Sequence, residues 1–514
     1  MNLELNEYVT SSGEIILYTG NVDLDKLAAV VVGPGDIWHS SFEQGYKNSF
    51  QELVYQASVF FWYINDFDNL DQAVSWRVNP NHFAVRKSVW DLMNGFDNDF
   101  DNPQMQALDF GFQCVRFYGG IPLYVKGLFF SEEVETVEIS VRDRHVFFRK
   151  NFKIEHSLFM LYRIGLWKLK EWKAFFYAKN NFIQRSYTIN IPPRKLVDLD
   201  KKPTVSYIIP TMFRQEFTLQ LLEDLKNQIT KPLEVIIVDA TPEKDRPKEG
   251  YDAKNYPFEL TVIWQKSKGS CRARNEAIAL CKGDYIIFGD DDIRVPTNFI
   301  DNHIRFLETY RAEACNGLDI RADNHLQDLN DLKYKLDNFG ILRWKAGATN
   351  NFSNANSCVK RELVNRLIGN DVNFDGGYGE DSDFGLSLAK LGATVMFNPF
   401  SPNLHLKPPS GGYRWWGSQS KIIGSKRKKQ PWELDVPVKR IRPVPSPTVM
   451  YGIIKQFTPQ QLIEYKYKHF SYYLFSGSKI GFLYRFLRIP YKNIQFKKSV
   501  FYAKRLMQLG SRYN

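Results

Sequence analysis

The sequence predicts an α/β fold built on a mostly parallel sheet, and two observations in the middle of the chain support it. Apolar runs at 205–210, 233–239, 260–264 and 284–288 have the length and composition of buried parallel strands. They alternate with helical patterns, the clearest at 215–229 and 270–281. Such alternation is typical of a right-handed parallel sheet, whose ligands bind at the carboxyl ends of its strands.

Length and composition place the 514 residues among ordinary globular proteins with roughly two to four domains. The five cysteines are widely spaced and include no CxxC pair, which argues against a disulfide framework or a cysteine zinc site. The N-terminus lacks the basic start and apolar core of a signal peptide, and no apolar stretch reaches ~18 residues. We therefore expect a cytoplasmic protein without a transmembrane helix, peripheral at most on the inner face of the cell membrane.

The net charge of +11 is concentrated at one end of the chain. Residues 401–514 contain 22 Lys and Arg against 3 Asp and Glu, whereas the remainder contains 46 against 54. Basic and aromatic residues interleave at 421–429 and 484–505, a pattern that favours an anionic membrane surface as partner. A folded helical subdomain with a solvated basic face and a nucleic-acid site are the alternatives. We expect no nucleic-acid partner.

A weak internal repeat relates the two ends of the predicted fold. Residues 356–397 align with 82–123 without a gap, and the Asp-Phe-Gly triplet at 383–385 falls on the same triplet at 109–111. Residues 1–130 then correspond to a shortened copy of the domain that contains the second segment.

The copy lacks the acids of its counterpart, because Glu380 aligns with Gln106 and Asp381 with Ala107. The sequence therefore predicts four parts: a non-catalytic domain at 1–130, a helical linker at 131–202, a catalytic domain at 203–412, and a basic, aromatic, mainly helical region at 413–514. Prolines between 192 and 203 suit a boundary, since they resist both helix and sheet.

The strongest chemical signal is the run Asp290-Asp291-Asp292, which directly follows an apolar strand. Three adjacent carboxylates repel one another, and a hard divalent cation would neutralise them and could bridge to a diphosphate. A solvated acidic loop or a helix cap is the alternative interpretation. The position at a strand end favours a metal site.

Three further segments offer polar side chains for a site. The glycine-rich loop at 376–379 precedes Glu380 and Asp381, which could accept a proton from an acceptor hydroxyl or simply cap a helix. His405 could complete a metal shell through a ring nitrogen or be a structural histidine. Lys268, Gly269 and the following basic residues could hold phosphate or form a basic helix face.

These residues occur in an order that resembles a known family. Ile209-Pro210-Thr211 with Arg214, Val238-Asp239, Ala273-Arg274-Asn275, Asp290-Asp291-Asp292 and Gly379-Glu380-Asp381 make residues ~204–410 similar to family-2 glycosyltransferases of the GT-A fold. The resemblance implies a GT-A catalytic domain beside a degenerate GT-A-like N-terminal domain. It also implies metal-dependent, inverting transfer from a nucleotide sugar, in bacterial enzymes often to a lipid-linked acceptor in surface-polysaccharide synthesis.

The resemblance also implies roles for single residues. The metal, Mn or Mg, would be held by Asp290, Asp292 and His405, and Asp381 would be the base with Glu380 beside it. The nucleotide sugar, which we expect to be UDP-linked, would be bound by Pro210, Thr211, Arg214, Asp239, Lys268, Arg274, Asn275, Asp290, Asp291, Gly347 and Asn356.

Two other classes of function stay open from the sequence. A non-catalytic glycan-binding or scaffold subunit would suit the N-terminal domain, whereas the acids argue against it for the middle of the chain. A nucleotidyltransferase also places acids after a parallel strand, but it needs a glycine-rich phosphate loop near the first strand, where this chain has residues 210–214.

Overall fold

The computed structural model describes residues 4–55, 63–131, 134–247, 250–413, 429–476 and 481–514. Most of the basic run at 421–429 lies outside these residues. The strands are β1 Asn6–Val9, β2 Ile15–Thr19, β3 Asn21–Val22, β4 Ile37–His39, β5 Gln72–Val74, β6 Phe83–Arg86, β7 Pro122–Val125, β8 Phe129–Phe130, β9 Val205–Thr211, β10 Glu234–Asp239, β11 Glu259–Trp264, β12 Tyr285–Gly289, β13 Ile293–Arg294, β14 Ala314–Arg321, β15 Asn356–Lys360 and β16 Val395–His405. The helices are α1 Leu24–Val30, α2 Lys87–Met93, α3 Pro103–Gln113, α4 Val141–Asn151, α5 Ile154–Ile164, α6 Leu169–Asn181, α7 Gln215–Lys226, α8 Ser270–Ile278, α9 Phe299–Tyr310, α10 Leu329–Asp337, α11 Arg361–Leu367, α12 Glu380–Lys390, α13 Pro447–Gln456, α14 Pro459–Phe475, α15 Gly481–Leu487 and α16 Ile489–Gln508.

The larger sheet has the order β11-β10-β9-β12-β15-β14-β16-β13. Its first four strands are parallel and correspond to the four apolar runs of the sequence, so the predicted α/β fold is confirmed. The second half is mixed, because β15 runs antiparallel to both β12 and β14. The carboxyl ends of β9, β10 and β12 therefore lie side by side at one edge.

The parallel strands are apolar throughout because both faces of the sheet are covered. Val235 and Ile237 of β10 point into one buried cluster, and Ile236 and Val238 point into another on the opposite face. The helix predicted at 215–229 ends at Lys226, and Ile229 is exposed, so the prediction was wrong for the last turn. The backbone N–H of Ile229 instead donates to the carbonyl of Thr297.

A smaller sheet, in the order β1-β2-β6-β4-β7-β5, repeats the second half of the larger one. Its central strand β4 is antiparallel to β6 and parallel to β7, as β14 is to β15 and β16. The aligned residues Val85 and Val359 lie across that central strand from Pro122 and Val395. The first connection is one residue longer, and a π-helix at Cys114–Tyr118 accommodates the extra residue.

We call the smaller sheet with its helices the first unit, and the larger sheet with its helices the second unit. The aligned Asp-Phe-Gly triplets have the same packing in both units. A Cβ on Gly111 would lie 2.1 Å from the carbonyl oxygen of Trp76, and one on Gly385 would lie 2.3 Å from that of Asn350. Trp76 and Asn350 are themselves related by the register of the repeat. In each unit the helix therefore rests directly on backbone, which only glycine permits.

The repeat continues into the helices that follow each sheet. In the first unit Lys150 of α4 pairs with Asp97, and Asn151 donates to Asp109 at 2.8 Å. In the second unit Lys455 of α13 pairs with Asp371 at 2.9 Å, and Gln456 donates to Asp383 at 2.6 Å. Asp97 and Asp109 align with Asp371 and Asp383, so one contact pattern secures a helical layer to each sheet.

The two units contact each other in a reciprocal way. Gly347 of the second unit packs on Gly119 of the first, and Gly392 of the second packs on Gln72 of the first. Once the extra residue is allowed for, Gly119 corresponds to Gly392, and Gln72 corresponds to Ala346, the neighbour of Gly347. Each unit thus offers equivalent surfaces, as in the isologous interface of a dimer. The boundaries proposed at 130, 202 and 412 stay a prediction.

The glycine packing gives a prediction about stability. We expect Gly111→Ala and Gly385→Ala each to lower the free energy of unfolding by about 1–3 kcal/mol, because the added methyl meets backbone. Gly452→Ala in α13 is the matched control, since its Cβ would lie 3.4 Å from Phe374, an ordinary contact. The free energy of unfolding of this control should rise by up to about 1 kcal/mol, because alanine has a higher helix propensity than glycine. Urea unfolding measures all three, and equal stability of the Gly385 and Gly452 variants would contradict this packing.

Candidate functional site

A cleft of about 350 Å³ opens at the carboxyl ends of β9 and β12. One wall comes from the turn after β12 and the end of β16, and the other comes from the start of α12. Of the residues singled out in the sequence, the structure brings these to the cleft: Pro210, Arg214, Arg274, Asp290, Asp291, Asp292, Glu380, Asp381 and His405.

Three side chains in the cleft could hold a metal ion. Asp290, Asp292 and His405 each offer one ligand atom, and these atoms lie within 4.8 Å of one another. Antiparallel pairing of Ile293 with His405 brings the acidic turn beside the end of β16. Two carboxylate oxygens and one imidazole nitrogen suit a divalent cation such as Mn²⁺, and the buried acids fit a group that neutralises them.

Asp291 points away from this ligand set toward the first strand. Its carboxylate accepts from the Thr211 hydroxyl at 2.7 Å and pairs with Arg214 at 3.1 Å. Burial, then the charge of Asp292, raises the pKa of Asp291 to about 7 despite Arg214. The same guanidinium lies 2.8 Å from Asp292, so one cation offsets two of the three acids.

His405 lies between two acids, one of which carried no signal in the sequence. Its Nε2 is 3.3 Å from Asp292, and its Nδ1 is 3.1 Å from Asp319 on β14. Burial alone would lower the pKa of His405, but hydrogen bonds to both carboxylates raise it to about 10. A metal at Nε2 would displace that proton, and Asp319 would then orient the ring through Nδ1–H.

Asp381 lies in the first turn of α12, on the other wall. Its Oδ1 accepts from the backbone N–H of Asn354 at 3.1 Å and from the Asn354 amide at 2.6 Å. Burial, then the charge of Glu380, raises the pKa of Asp381 to about 7. A carboxylate with a pKa near neutral is suited to accept a proton at physiological pH. Asn354 was not predicted from the sequence.

The loop before Asp381 is held by the C-terminal region. The backbone N–H of Tyr378 donates to the Thr448 hydroxyl at 2.9 Å, and a Cβ on Gly377 would lie 2.1 Å from the same oxygen. Gly379 has a φ of +111°, which favours glycine. Helix α13 thus sets the position at which α12 begins.

The start of α8 is occupied by a carboxylate of the chain itself. Asp375 accepts from the backbone N–H of Cys271 at 2.7 Å, and a Cβ on Gly269 would lie 2.0 Å from its oxygen. A backbone N–H of the segment predicted to hold phosphate therefore already has an anionic partner. Arg274 of this helix does reach the cleft, where it pairs with Asp290 at 2.7 Å.

The other predicted nucleotide-sugar residues lie outside the cleft lining. Thr211 and Asp239 are buried at the ends of β9 and β10, and Asp239 accepts from Tyr251 at 3.0 Å. Lys268 is exposed beside the ring of Phe213.

Three of those residues bond or pack elsewhere. Asn275 donates to the carbonyls of Asn370 and Tyr513. Asn356 is buried among side chains of the sheet, and Gly347 packs on the first unit. The predicted contacts of these three residues with the donor stay predictions.

Comparison with known proteins shows that the central part of the chain is similar to one family. Residues 206–368 match the model of the family named Glycosyl transferase family 2. An uncharacterized glycosyltransferase of Haemophilus influenzae is 37% identical over 90 residues, which are 17% of this chain and 29% of that protein. A putative colanic acid biosynthesis glycosyl transferase of Escherichia coli, WcaA, is 30% identical over 95 residues, 18% of this chain and 34% of that protein. The chain thus spans about a third of the length of these relatives.

A solved structure with partial overlap is the mannosyltransferase PcManGT from Pyrobaculum calidifontis in complex with GDP-Man and Mn²⁺. It is 19% identical, with 59% of this chain and 87% of that chain covered, and the TM-score is 0.33. A likeness of that size supports no argument about function.

The raised pKa of Asp381 predicts a gain in stability when its charge is removed. The folded state favours the neutral acid, so ionisation destabilises the protein as the pH rises from about 4 to about 7. We expect Asp381→Asn to raise the melting temperature by roughly 2–4 °C at pH 8 and by clearly less at pH 5. Thermal melts at both pH values test this, and a lower melting temperature at pH 8 would contradict it.

The contact between Lys455 and α12 predicts a selective effect on the site. Lys455→Met leaves Asp371 and Asp383 buried without their cation, which should cost about 3–5 kcal/mol of stability. The double variant Asp383→Asn/Lys455→Met should recover part of the lost stability, because it removes one of the two unpaired charges. Lys150→Met is the matched control, because it removes the equivalent cation from the first unit.

Both lysine variants should lower the melting temperature, but only Lys455→Met should alter the cleft. The affinities of both variants for Mn²⁺ and nucleotide, measured by calorimetry well below their melting temperatures, distinguish a change in the cleft from a loss of stability. Equal weakening of binding in both variants would show that α13 has no particular role in positioning α12.

Proposed function

Because residues 206–368 match the model of glycosyl transferase family 2, we propose that the chain transfers a sugar from a nucleotide-linked donor to a hydroxyl acceptor, with inversion. The observation that supports this proposal most directly is the placement of two chemical groups on opposite walls of one cleft. Asp290, Asp292 and His405, which could together hold a metal ion, lie on one wall, and Asp381 lies on the other.

The donor half of the proposal uses the ends of the parallel strands. We infer that Pro210, Thr211 and Asp239 face the base and ribose, since ligands of such sheets bind at the carboxyl edge. A bound Mn²⁺ or Mg²⁺ would neutralise the diphosphate and the charge that develops on it. Arg274, at the same edge, offers further positive charge. We expect a UDP-linked donor.

The acceptor half depends on Asp381. Its ionised carboxylate takes the proton of the acceptor hydroxyl while that oxygen attacks the anomeric carbon, and the bond to the diphosphate breaks on the opposite face. The two hydrogen bonds from Asn354 to Oδ1 keep that oxygen oriented and leave Oδ2 for the proton. Burial, and then the charge of Glu380 one residue earlier, raises the pKa of Asp381 toward neutrality.

The acceptor we propose is a glycan or lipid-linked glycan of cell-surface polysaccharide synthesis. Support comes from the E. coli relative, which is named for colanic acid biosynthesis. We propose that the first unit is non-catalytic. Gln106 and Ala107 replace the acids there, and Glu135 of the following segment accepts hydrogen bonds from Tyr46 and Gln104.

A metal-dependent thermal-shift screen tests the proposal. Wild-type protein is melted with each nucleotide sugar, with and without Mn²⁺, and one nucleotide class should stabilise it by roughly 3 kcal/mol at a hundredfold excess over Kd only when the metal is present. Asp292→Asn should lose that shift, whereas Asp245→Asn, an exposed acid outside the cleft, should keep it.

The Asp381→Asn variant then separates binding from chemistry. It should retain the metal-dependent donor shift but transfer sugar about 10²–10⁴ times more slowly. Full transfer activity in this variant would disprove the base assignment. No shift with any nucleotide sugar in wild-type protein would count against the whole proposal.

A further inference from the structure

Helix α15 exposes large apolar side chains and buries none of its residues. Leu483 and Leu487 are 67% and 69% exposed, and Phe475 at the end of α14 is 72% exposed. We define the aromatic–basic tip as the exposed apolar side chains Tyr472, Phe475, Phe482, Leu483, Phe486 and Leu487 together with Arg488 and Lys492. Exposed apolar groups gathered in this way mark a surface that binds something.

The residues of the tip contact one another and neighbouring tyrosine rings. The rings of Phe475 and Phe482 stack with centroids 5.6 Å apart, which joins α14 to α15. Arg488 donates to the hydroxyl of Tyr484 at 3.0 Å, and the ammonium of Lys492 lies 5.1 Å from the ring of Tyr473. The cations therefore lie beside apolar rings rather than opposite acids.

The charge of this region is one-sided. Residues 459–514 contain eleven Lys and Arg and a single acid, Glu464. That acid is buried and forms a bidentate ion pair with Arg163 of α5, with N–O distances of 2.7 and 2.9 Å. No carboxylate side chain of this segment is available at the surface to offset the cations, so the tip is complementary to an anionic partner.

We propose that the aromatic–basic tip inserts into the interfacial region of an anionic lipid bilayer. In that region, apolar side chains around a short helix enter the boundary of the acyl chains while flanking Arg and Lys reach the headgroup phosphates. No described helix has the length and apolar content needed to cross a membrane.

Two other partners fit the tip less well. A second copy of the chain would bring two sets of cations together, and like charges across an interface weaken association. A nucleic acid would satisfy the cations and could stack on rings, but it offers nothing to the aliphatic Leu483 and Leu487. The bilayer accounts for both the charge and the aliphatic exposure.

Vesicle co-sedimentation of the full chain tests the proposal. Wild-type protein should sediment with vesicles of phosphatidylglycerol and phosphatidylcholine at low salt, and only weakly with phosphatidylcholine alone. Leu483→Ser/Leu487→Ser should bind about tenfold or more weakly to the anionic vesicles. The matched control Ile229→Ser/Leu326→Ser replaces two equally exposed apolar residues elsewhere and should bind as wild type does.

A second pair of variants tests the charge. Arg488→Gln/Lys492→Gln should lose about thirtyfold in affinity for anionic vesicles, because each cation near the surface contributes roughly 1 kcal/mol. Lys244→Gln/Lys333→Gln removes two exposed cations outside the tip and is the control. Thermal melts of all variants verify folding.

Four outcomes would overturn the inference. They are no sedimentation of wild type with anionic vesicles at low salt, unchanged binding of the leucine variant, a dimer in lipid-free solution that this variant abolishes, and binding to single-stranded nucleic acid without vesicle binding. The inference is independent of glycosyl transfer, because Asp381→Asn should bind vesicles as wild type does even if the proposed activity fails.

Discussion

Three carboxylates at the end of one buried strand are the constraint around which this protein is organised. Asp290, Asp291 and Asp292 leave β12 together, and unbalanced they would repel one another at short range. Arg274 pairs with the first, Arg214 with the other two, and His405 contacts the third. Each partner comes from a different element, so the charge balance ties α8, the β9–α7 connection and β16 to one point.

The same architecture appears twice in the chain with different chemistry. In both units a lysine and an amide side chain of the following helix secure the buried acids, at Lys150-Asn151 and at Lys455-Gln456. These contacts stabilise packing and are present in both units. The acids at 380 and 381 have no counterparts in the first unit, which is consistent with one unit for chemistry and one for structure.

The C-terminal helices connect the cleft with the outer surface. Thr448 of α13 holds the loop that leads to Asp381, and α14 leads from α13 to the exposed α15. Packing between α13 and α16 completes a buried cluster that also includes Phe374 below the same loop. A helical layer that positions Asp381, the proposed base, and presents apolar side chains to its surroundings would suit an enzyme whose acceptor is held at a membrane.

The sequence alone determined the parallel strands, the acidic turn, the glycine-rich loop and the repeat, because apolar runs, strand ends and glycines are local signals. Only the tertiary structure decided which side chains complete the cleft. Asn354 lines it, Asp319 contacts His405, and Lys455 pairs with Asp383 of α12. Nothing in the sequence around these three residues marks them. The same cause separates Asn275 and Gly347 from the cleft, since chain proximity to a motif does not set the direction in which a side chain points.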